Sequence, residues 1–447
     1  MGSNAPRPGR AGVVGAGIAG LSAAIALRRA GWEVEMFEKS HFKNEIGAAI
    51  TVTPNATMVL DRWGFDMKKA APVPNQVVRL AHARDLTVFQ REEYTDMVDL
   101  LGHGTWSFHR VDLHRGLKEL ATAQDEHGEM GPPVEIRLGC EATGVDCDDG
   151  TLRLAGGQVV AKDLIIIADG AHSRLISDFT GHPSGLHRTG RSIYRWLVSM
   201  DDVLADPTLR AQFTNDLPGF IGWRDPDKNI LWVSYTCRGG KVLNNAVVHT
   251  TKTGEGEEDV WHTAASQDQV LATLENFHPS VRKIVTMASE DGIKVHHLYK
   301  KPVLTSFVRG RTAVVGDAAH VMMPTHAAGG GIAIESAASL EVLFRQVDAT
   351  DDQAVKQRLR AFDKLRIPRC NLTTLASNAG PEWLHVPGVE EEIRRFYTGP
   401  LPPPGALPYS KPFREVLFHH DEYRAAEQML ARTPSLGEQR SIATQQS

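Results

Sequence analysis

Apolar and polar positions along this chain change period many times, and each change marks an element. Ala11 to Val14 form a short apolar run, which predicts a buried strand, followed by a helical pattern from Leu21 to Ala30. Trp32 to Phe37 then alternate as a second strand. Pro54-Asn55 opens a helix through Trp63, and residues 76–104 alternate as strands (Val77-Val78-Arg79-Leu80, Thr87-Val88-Phe89). A helix at Leu113–Thr122 precedes a β-meander: Val134–Leu138, Ala142–Cys147, and the turn Asp148-Asp149-Gly150 into Leu152–Leu154. Leu164–Ala168 and Thr312–Val315 are unbroken apolar runs, the pattern of fully buried strands. Residues 190–300 read as strand-rich, through Ser192–Val198, Ile230–Cys237 and Gly292–Leu298. A second helical zone starts after Gly330, Pro402-Pro403-Pro404 marks an extended loop, and Glu422–Ala431 is a last amphipathic helix. The tail from Thr433 is expected to be disordered. There is no internal repeat.

The first strand-to-helix junction carries Gly15, Gly17 and Gly20 in the spacing Gly-x-Gly-x-x-Gly. Such a turn lets the backbone pass close to a pyrophosphate, with a helix N-terminus facing its charge. The second strand ends in Glu38, 23 residues after Gly15, where a carboxylate grips both hydroxyls of an adenosine ribose. An acid there fits FAD or NAD and repels the 2′-phosphate of NADP. The fold class is therefore α/β: a Rossmann-like FAD/NAD(P)-binding domain from residues 8–75, 105–185 and 295–365. It is interleaved with a mixed β-sheet domain from residues 76–104 and 186–294, and residues 366–432 add a C-terminal helical region before the tail at 433–447.

Ala11 to Leu27 hold no charge, with arginines at 7, 10, 28 and 29 on either side, which imitates a signal peptide or membrane anchor. The Gly-rich composition suits hydrocarbon poorly, and the fingerprint accounts for the glycines. No targeting or transmembrane segment is read, and the expected location is the cytoplasm. A net charge of −5 excludes the basic footprint of a nucleic-acid or anionic-membrane binder. Cys140, Cys147, Cys237 and Cys370 are scattered with no Cys-x-x-Cys, the pattern of reduced thiols. Among 19 histidines, the pairs His296-His297 and His419-His420 have no ligand set nearby in sequence, so no metal site is expected.

Two further buried strands end in a carboxylate beside glycine: Asp169-Gly170-Ala171-His172-Ser173 and Gly316-Asp317-Ala318-Ala319-His320. Each acid fits either a ligand contact or a helix cap. Together with the first fingerprint, they resemble the flavoprotein aromatic hydroxylases: single-component FAD monooxygenases with the p-hydroxybenzoate hydroxylase fold, and more narrowly the fungal and bacterial enzymes of the salicylate-hydroxylase type, including those of fungal secondary metabolism. The resemblance spans nearly the whole chain. It implies that Gly15, Gly17 and Gly20 hold the ADP pyrophosphate and Glu38 its ribose. Arg110, before Asp112-Leu113-His114-Arg115, would reach the FAD phosphates or ribose. Asp169 would lie where FAD and nicotinamide pass, and Asp317 would bind the ribityl chain. The helix from Gly329-Gly330-Gly331 would aim backbone N–H groups at the flavin pyrimidine edge. Gly330, and Ala49 in Gly47-Ala48-Ala49-Ile50, complete the cofactor-binding expectation. The chain departs from the family pattern at Ile176 (usually arginine), at Val321 (usually proline) and at Ala327-Ala328 before Gly329.

No second Gly-x-Gly-x-x-Gly follows a strand. The resemblance therefore implies non-covalent FAD with NADH or NADPH as a transient reductant, and O₂ and a small aromatic, phenolic substrate as partners. Oxygen transfer would run through a C4a-hydroperoxyflavin, which is the cofactor's own chemistry. The protein must make the substrate carbon electron-rich, so a cation or donor at a phenolate oxygen is the device to seek. Two strands of the β-sheet domain supply the catalytic candidates. Arg195 lies in Tyr194-Arg195-Trp196 and Tyr235 in Ser234-Tyr235-Thr236, with a structural ion pair and a core edge position as their respective alternatives. Arg238 is expected to support the turn at Gly239-Gly240. Competing readings are an epoxidase on a non-phenolic natural product, and a flavin dehydrogenase or redox-responsive binding protein. The chain is expected to be a monomer or homodimer.

Overall fold

The computed structural model describes residues 8–42, 48–125, 130–252 and 263–432. Gly47 and the tail from Thr433 lie outside the described residues. A six-stranded sheet forms the first body, in the order Val308–Arg309, Thr312–Val314, Leu164–Ile167, Arg10–Val14, Glu33–Glu38, Glu135–Leu138. All of its neighbours pair parallel except the first two, which are antiparallel. The unbroken apolar runs in Leu164–Ile167 and Thr312–Val314 are explained by this position: every residue of both strands is buried.

One expectation needs correcting. The strand Glu135–Leu138 is not part of the meander but the edge of this parallel sheet, paired with Glu33–Glu38. The three-stranded meander is Ala142–Asp146, Thr151–Leu154 and Val159–Ala161. Parallel partners need a long crossover, so the pairing of residues a hundred positions apart leaves no local trace.

An eight-stranded sheet forms the second body, in the order Thr263–Ala264, Lys294–Lys300, His187–Ser199, Val242–Thr250, Ile230–Cys237, Gly219–Asp225, Val77–His82, Val88–Glu93. The pairing of Gly219–Asp225 with Val77–His82 is parallel. The region read as strand-rich also contains the helices Met200–Ala205, Pro207–Thr214, Gln267–Thr273 and Pro279–Thr286. Together with the sheet they bury a second core, with Tyr194, Trp196, Trp223, Trp232, Val270, Val281 and Ile284 in it. The first core is larger and takes in Cys370, Leu372, Trp383, Phe413 and Tyr423, so the C-terminal region packs on the six-stranded sheet's body. Among the described residues no helix is long and apolar enough to cross a membrane.

Candidate functional site

The three glycines of the first turn each meet a different steric demand. Gly15 holds φ at +93°, and a Cβ there would stand 2.5 Å from the carbonyl oxygen of Ala168 on the neighbouring strand. A Cβ on Gly20 would overlap the carbonyl oxygen of Gly15, so helix and turn touch backbone to backbone. Gly17 faces open space instead, with nothing within 4 Å of its would-be Cβ. It is also the N-cap of Ile18–Arg29, a helix start with no side-chain cap and no acid in its first turn. Uncapped N–H groups beside open space form a cradle for an anion. Glu38 stands at its mouth, where Oε2 accepts from Ala16 N at 2.7 Å and Oε1 from Ser40 N at 2.7 Å. On the other side, the Ala16 carbonyl oxygen lies 2.7 Å from His114 Nε2. His114 was missed in the sequence, although it sits four residues after Arg110 on one face of Arg110–Thr122.

The two later acids differ. Asp169 Oδ2 accepts from Arg174 N at 3.1 Å, and Ser173 Oγ accepts from Ile176 N at 3.1 Å, so Asp169 holds its own turn and Ser173 the next helix. Burial raises the Asp169 carboxyl, against the hydrogen bonds from Ser173 and Arg174. Asp317 is open to solvent yet walled by protein on every side, the condition of a group lining a deep cleft. Burial raises its carboxyl as well, while the charges of Arg110 and Lys301 pull it down. Lys301 is buried, donates to the Ala318 carbonyl, and feels both Asp317 and Asp169. Burial brings its amine down to about 8, against the pull of those two acids. The structure thus gathers Arg110, Asp317 and Lys301 in one neighbourhood.

Strand register decides which side chains of the eight-stranded sheet share a face. Gln90, Leu80, Gly222, Val233, Ala246 and Arg195 are paired one to the next across the sheet. Phe220, Tyr235, Asn244 and Leu197 form the adjacent row on the same side. The opposite side, with Tyr194, Trp196 and Trp232, is sealed under helices. The Gln90–Arg195 side is half-exposed at Leu80, Val233, Ala246 and Arg195. This is an apolar wall with a few polar groups, the usual make-up of a small-molecule site.

Two neighbours on that wall clamp Ala49. Tyr235 Oη donates to the Ala49 carbonyl at 3.1 Å, and Asn244 Oδ1 accepts from Ala49 N at 3.0 Å. Asn244 was another miss; its signal was a pair of asparagines inside a strand, where that residue is depleted. The Tyr235 phenol is pushed up to about 12 by burial, against the Arg195 charge. Burial lowers the Arg195 guanidinium, Tyr235 favours its charge and Arg110 opposes it. Among the described residues no carboxylate pairs with Arg195.

The helix Gly329–Leu343 is likewise uncapped and free of acids in its first turn. Gly330 and Gly331 press on the preceding layer: a Cβ would stand 2.8 Å from Ile50 Cδ1 and 2.5 Å from Thr53 Oγ1 respectively. Deeper in the same helix, Glu335 accepts from Asn55 Nδ2 at 2.6 Å, Arg366 Nη1 at 2.7 Å and Arg369 Nη2 at 2.9 Å. Arg366 also donates to Glu422, which lies 2.7 Å from His420 Nε2. His420 therefore does approach two carboxylates at ligand distances, contrary to the expectation from sequence. Two guanidiniums already neutralise the cluster, which makes it a buried ion network fastening the C-terminal helices.

The groups present suit FAD: an uncapped phosphate cradle with an acid at its mouth, a second uncapped helix start, and an accessible acid flanked by two cations. The description "FAD binding domain" fits residues 10–375 as a family model. The chain is 32% identical over 424 residues to the FAD-dependent monooxygenase cfoG of Aspergillus candidus, covering 93% of each protein. It is 31% identical over 378 residues to hispidin-3-hydroxylase of Neonothopanus nambi, covering 82% of this chain and 86% of that one. A solved salicylate hydroxylase substrate complex shares the fold, with a TM-score of 0.73 at 22% identity over 96% of this chain and 99% of that one.

Proposed function

This chain belongs to the FAD binding domain family and is an FAD-dependent monooxygenase; from that premise we propose that it hydroxylates a phenolic aromatic small molecule, with NADH or NADPH as transient reductant. FAD, when bound, carries the electrons and activates dioxygen. The chain's own residues do the rest. We assign Gly15, Gly17, Gly20, Glu38, Ala49, Arg110, Asp169, Asp317 and Gly330 to the cofactor, held by the six-stranded sheet's body. We assign the half-exposed face of the eight-stranded sheet to the substrate.

The observation that carries this reading is Arg195. It is a guanidinium in an apolar wall, enclosed by protein, with no carboxylate partner among the described residues. A cation so placed favours an anionic oxygen, and a phenolate is the form whose ring carbon attacks an electrophilic oxygen best. Tyr235 contributes differently from a simple donor: its proton goes to the Ala49 carbonyl, so toward a substrate its oxygen acts as an acceptor. Its role is to hold the strand Ala49–Val52 against the sheet, while its oxygen accepts from a substrate hydroxyl. The apolar residues around both exclude water.

The test is a screen of phenols for stimulated NAD(P)H oxidation under ¹⁸O₂, with product mass recorded. One labelled oxygen in a hydroxylated ring supports the reading. A labelled epoxide would move the substrate class, and reductant consumption with no labelled product from any phenol would remove the phenol proposal.

A further inference from the structure

The proline-rich loop ending at Ser410 is fastened at three points. The Pro408 carbonyl accepts from Gln90 Nε2 at 2.5 Å, and Gln90 belongs to the same sheet face as Arg195. Tyr409 Oη donates to the Thr325 carbonyl at 3.2 Å, in the loop that opens Gly329–Leu343. The Tyr409 carbonyl accepts from Arg414 Nη1 at 2.9 Å. Arg414 is itself buried, grips both oxygens of Asp96 at 2.8 and 2.9 Å, and lies 4.4 Å over the Tyr94 ring. The loop therefore bridges the flavin-side helix start and the far end of the proposed substrate wall.

Tyr409 occupies that bridge with φ at +63°, a left-handed conformation that strains an L residue. Such strain persists where the surroundings over-determine it, and it clusters at ligand clamps. Here it accompanies a ring whose centroid is 6.0 Å from that of His326, within the electrostatic reach of Arg224. Like Arg195 and Tyr235, Tyr409 is partly open to solvent yet enclosed by protein. The strands of Arg195 and Arg224 are three steps apart in the sheet, roughly 14 Å at the usual spacing.

We propose that Tyr409 is a specificity-determining residue, the end wall of the substrate cavity opposite Arg195, and that it selects an elongated phenol carrying a second aromatic ring at its far end. The proposal rests on the sheet face being the substrate site. With its phenol proton engaged by Thr325, Tyr409 offers the far end of a substrate an aromatic ring, suited to stacking and unsuited to an anion.

Phenol and 4-hydroxystilbene serve as one-ring and two-ring probes for the FAD-loaded wild type, Tyr409→Phe and Tyr409→Gly. FAD content, measured first, should match in all three. Glycine removes the ring and accepts the backbone conformation, so kcat/KM for 4-hydroxystilbene should fall by about tenfold while that for phenol holds. Tyr409→Phe keeps the ring and should stay close to the wild type. Iodide quenching of the bound flavin, read without substrate, should steepen in the glycine variant alone. Equal loss on both probes, or no loss on either, overturns the end wall. If no protein turns over either probe, the phenol reading is decided by the wider phenol screen, and the quenching comparison decides the place of Tyr409: unchanged quenching overturns it, steeper quenching upholds it.

Discussion

Arg238 Nε donates to Asp112 Oδ2 at 2.7 Å, which ties the turn after the strand Ile230–Cys237 to the helix that begins with Arg110. Arg238 is half-exposed and Asp112 buried, with Arg115 Nη2 a further donor to Asp112 at 3.0 Å. Arg238 itself holds φ at +51° before Gly239-Gly240, so it shapes the turn and latches it. Arg238→Ala should cost about 1 kcal/mol in stability, since Arg115 still serves the carboxylate. It should also raise KM more than it lowers kcat, through a looser wall. Denaturant melts and steady-state kinetics with an active phenol read both; an unchanged melt would make the latch decorative.

Asp317 has the sharper consequence. Its carboxyl is accessible, enclosed, and flanked by the charges of Arg110 and Lys301, with no hydrogen bond among the described residues that would explain it as a cap. Asp317→Ala should strip or greatly weaken FAD while circular dichroism shows a folded apoprotein. Full flavin occupancy in that variant would return the acid to a local structural role.

The first turn was legible because its constraints are local: three glycines, each excluded from carrying a side chain or placed to face open space, within six residues. Helix and strand identity was legible wherever a period ran long enough, as in Pro54–Arg62 and Glu422–Ala431. The short helices within the eight-stranded body were not, because six to eight residues hold barely two turns of apolar repeat. The sharing of one sheet face by Arg195 and Tyr235 was illegible for another reason: it follows from strand register. The sequence showed a cation on one strand and a phenol on another, and pairing across Val242–Thr250 puts them on one side.

The departure at Ala327 has a physical price that can be measured. Its φ is +53°, in the left-handed region, at the point where the loop enters Gly329–Leu343. Ala327→Gly should therefore stabilise the protein by about 0.5–1 kcal/mol, the strain relief exceeding the added freedom of the unfolded chain. Chemical denaturation of the FAD-loaded protein measures it. A loss of stability would show that the alanine methyl makes packing contacts outweighing the strain.

Lys301 gives a pH dependence of definite sign. Burial lowers its amine from the ordinary 10.5 to about 8, so between those values the unfolded chain binds more protons than the folded one. Stability from this group is therefore lowest below pH 8 and recovers as pH rises toward 10.5, by up to about 3 kcal/mol. Apoprotein carrying Lys301→Met lacks the titration. The wild type should gain on the variant across pH 8 to 10.5 in urea melts. A constant gap would mean that the amine titrates as if exposed.

Arg195 carries the heaviest consequence. Its guanidinium is lowered by burial yet far above neutrality in kind, since arginine does not lose its proton in proteins, so it is a fixed charge at any working pH. Arg195→Ala should leave FAD bound, because the strand His187–Ser199 belongs to the eight-stranded sheet and not to the cradle at Gly17. Hydroxylation should fall by about 10²-fold or more, the loss of one preorganised charge contact. Raising the pH should restore part of it, because a phenol then ionises without help, whereas the wild type should change little over the same range. Tyr235→Phe removes a bond to the Ala49 carbonyl and should cost about 1–3 kcal/mol in transition-state stabilisation, with no comparable recovery at high pH. An Arg195 variant with normal turnover and an ordinary pH profile would leave the guanidinium as part of the wall and nothing more.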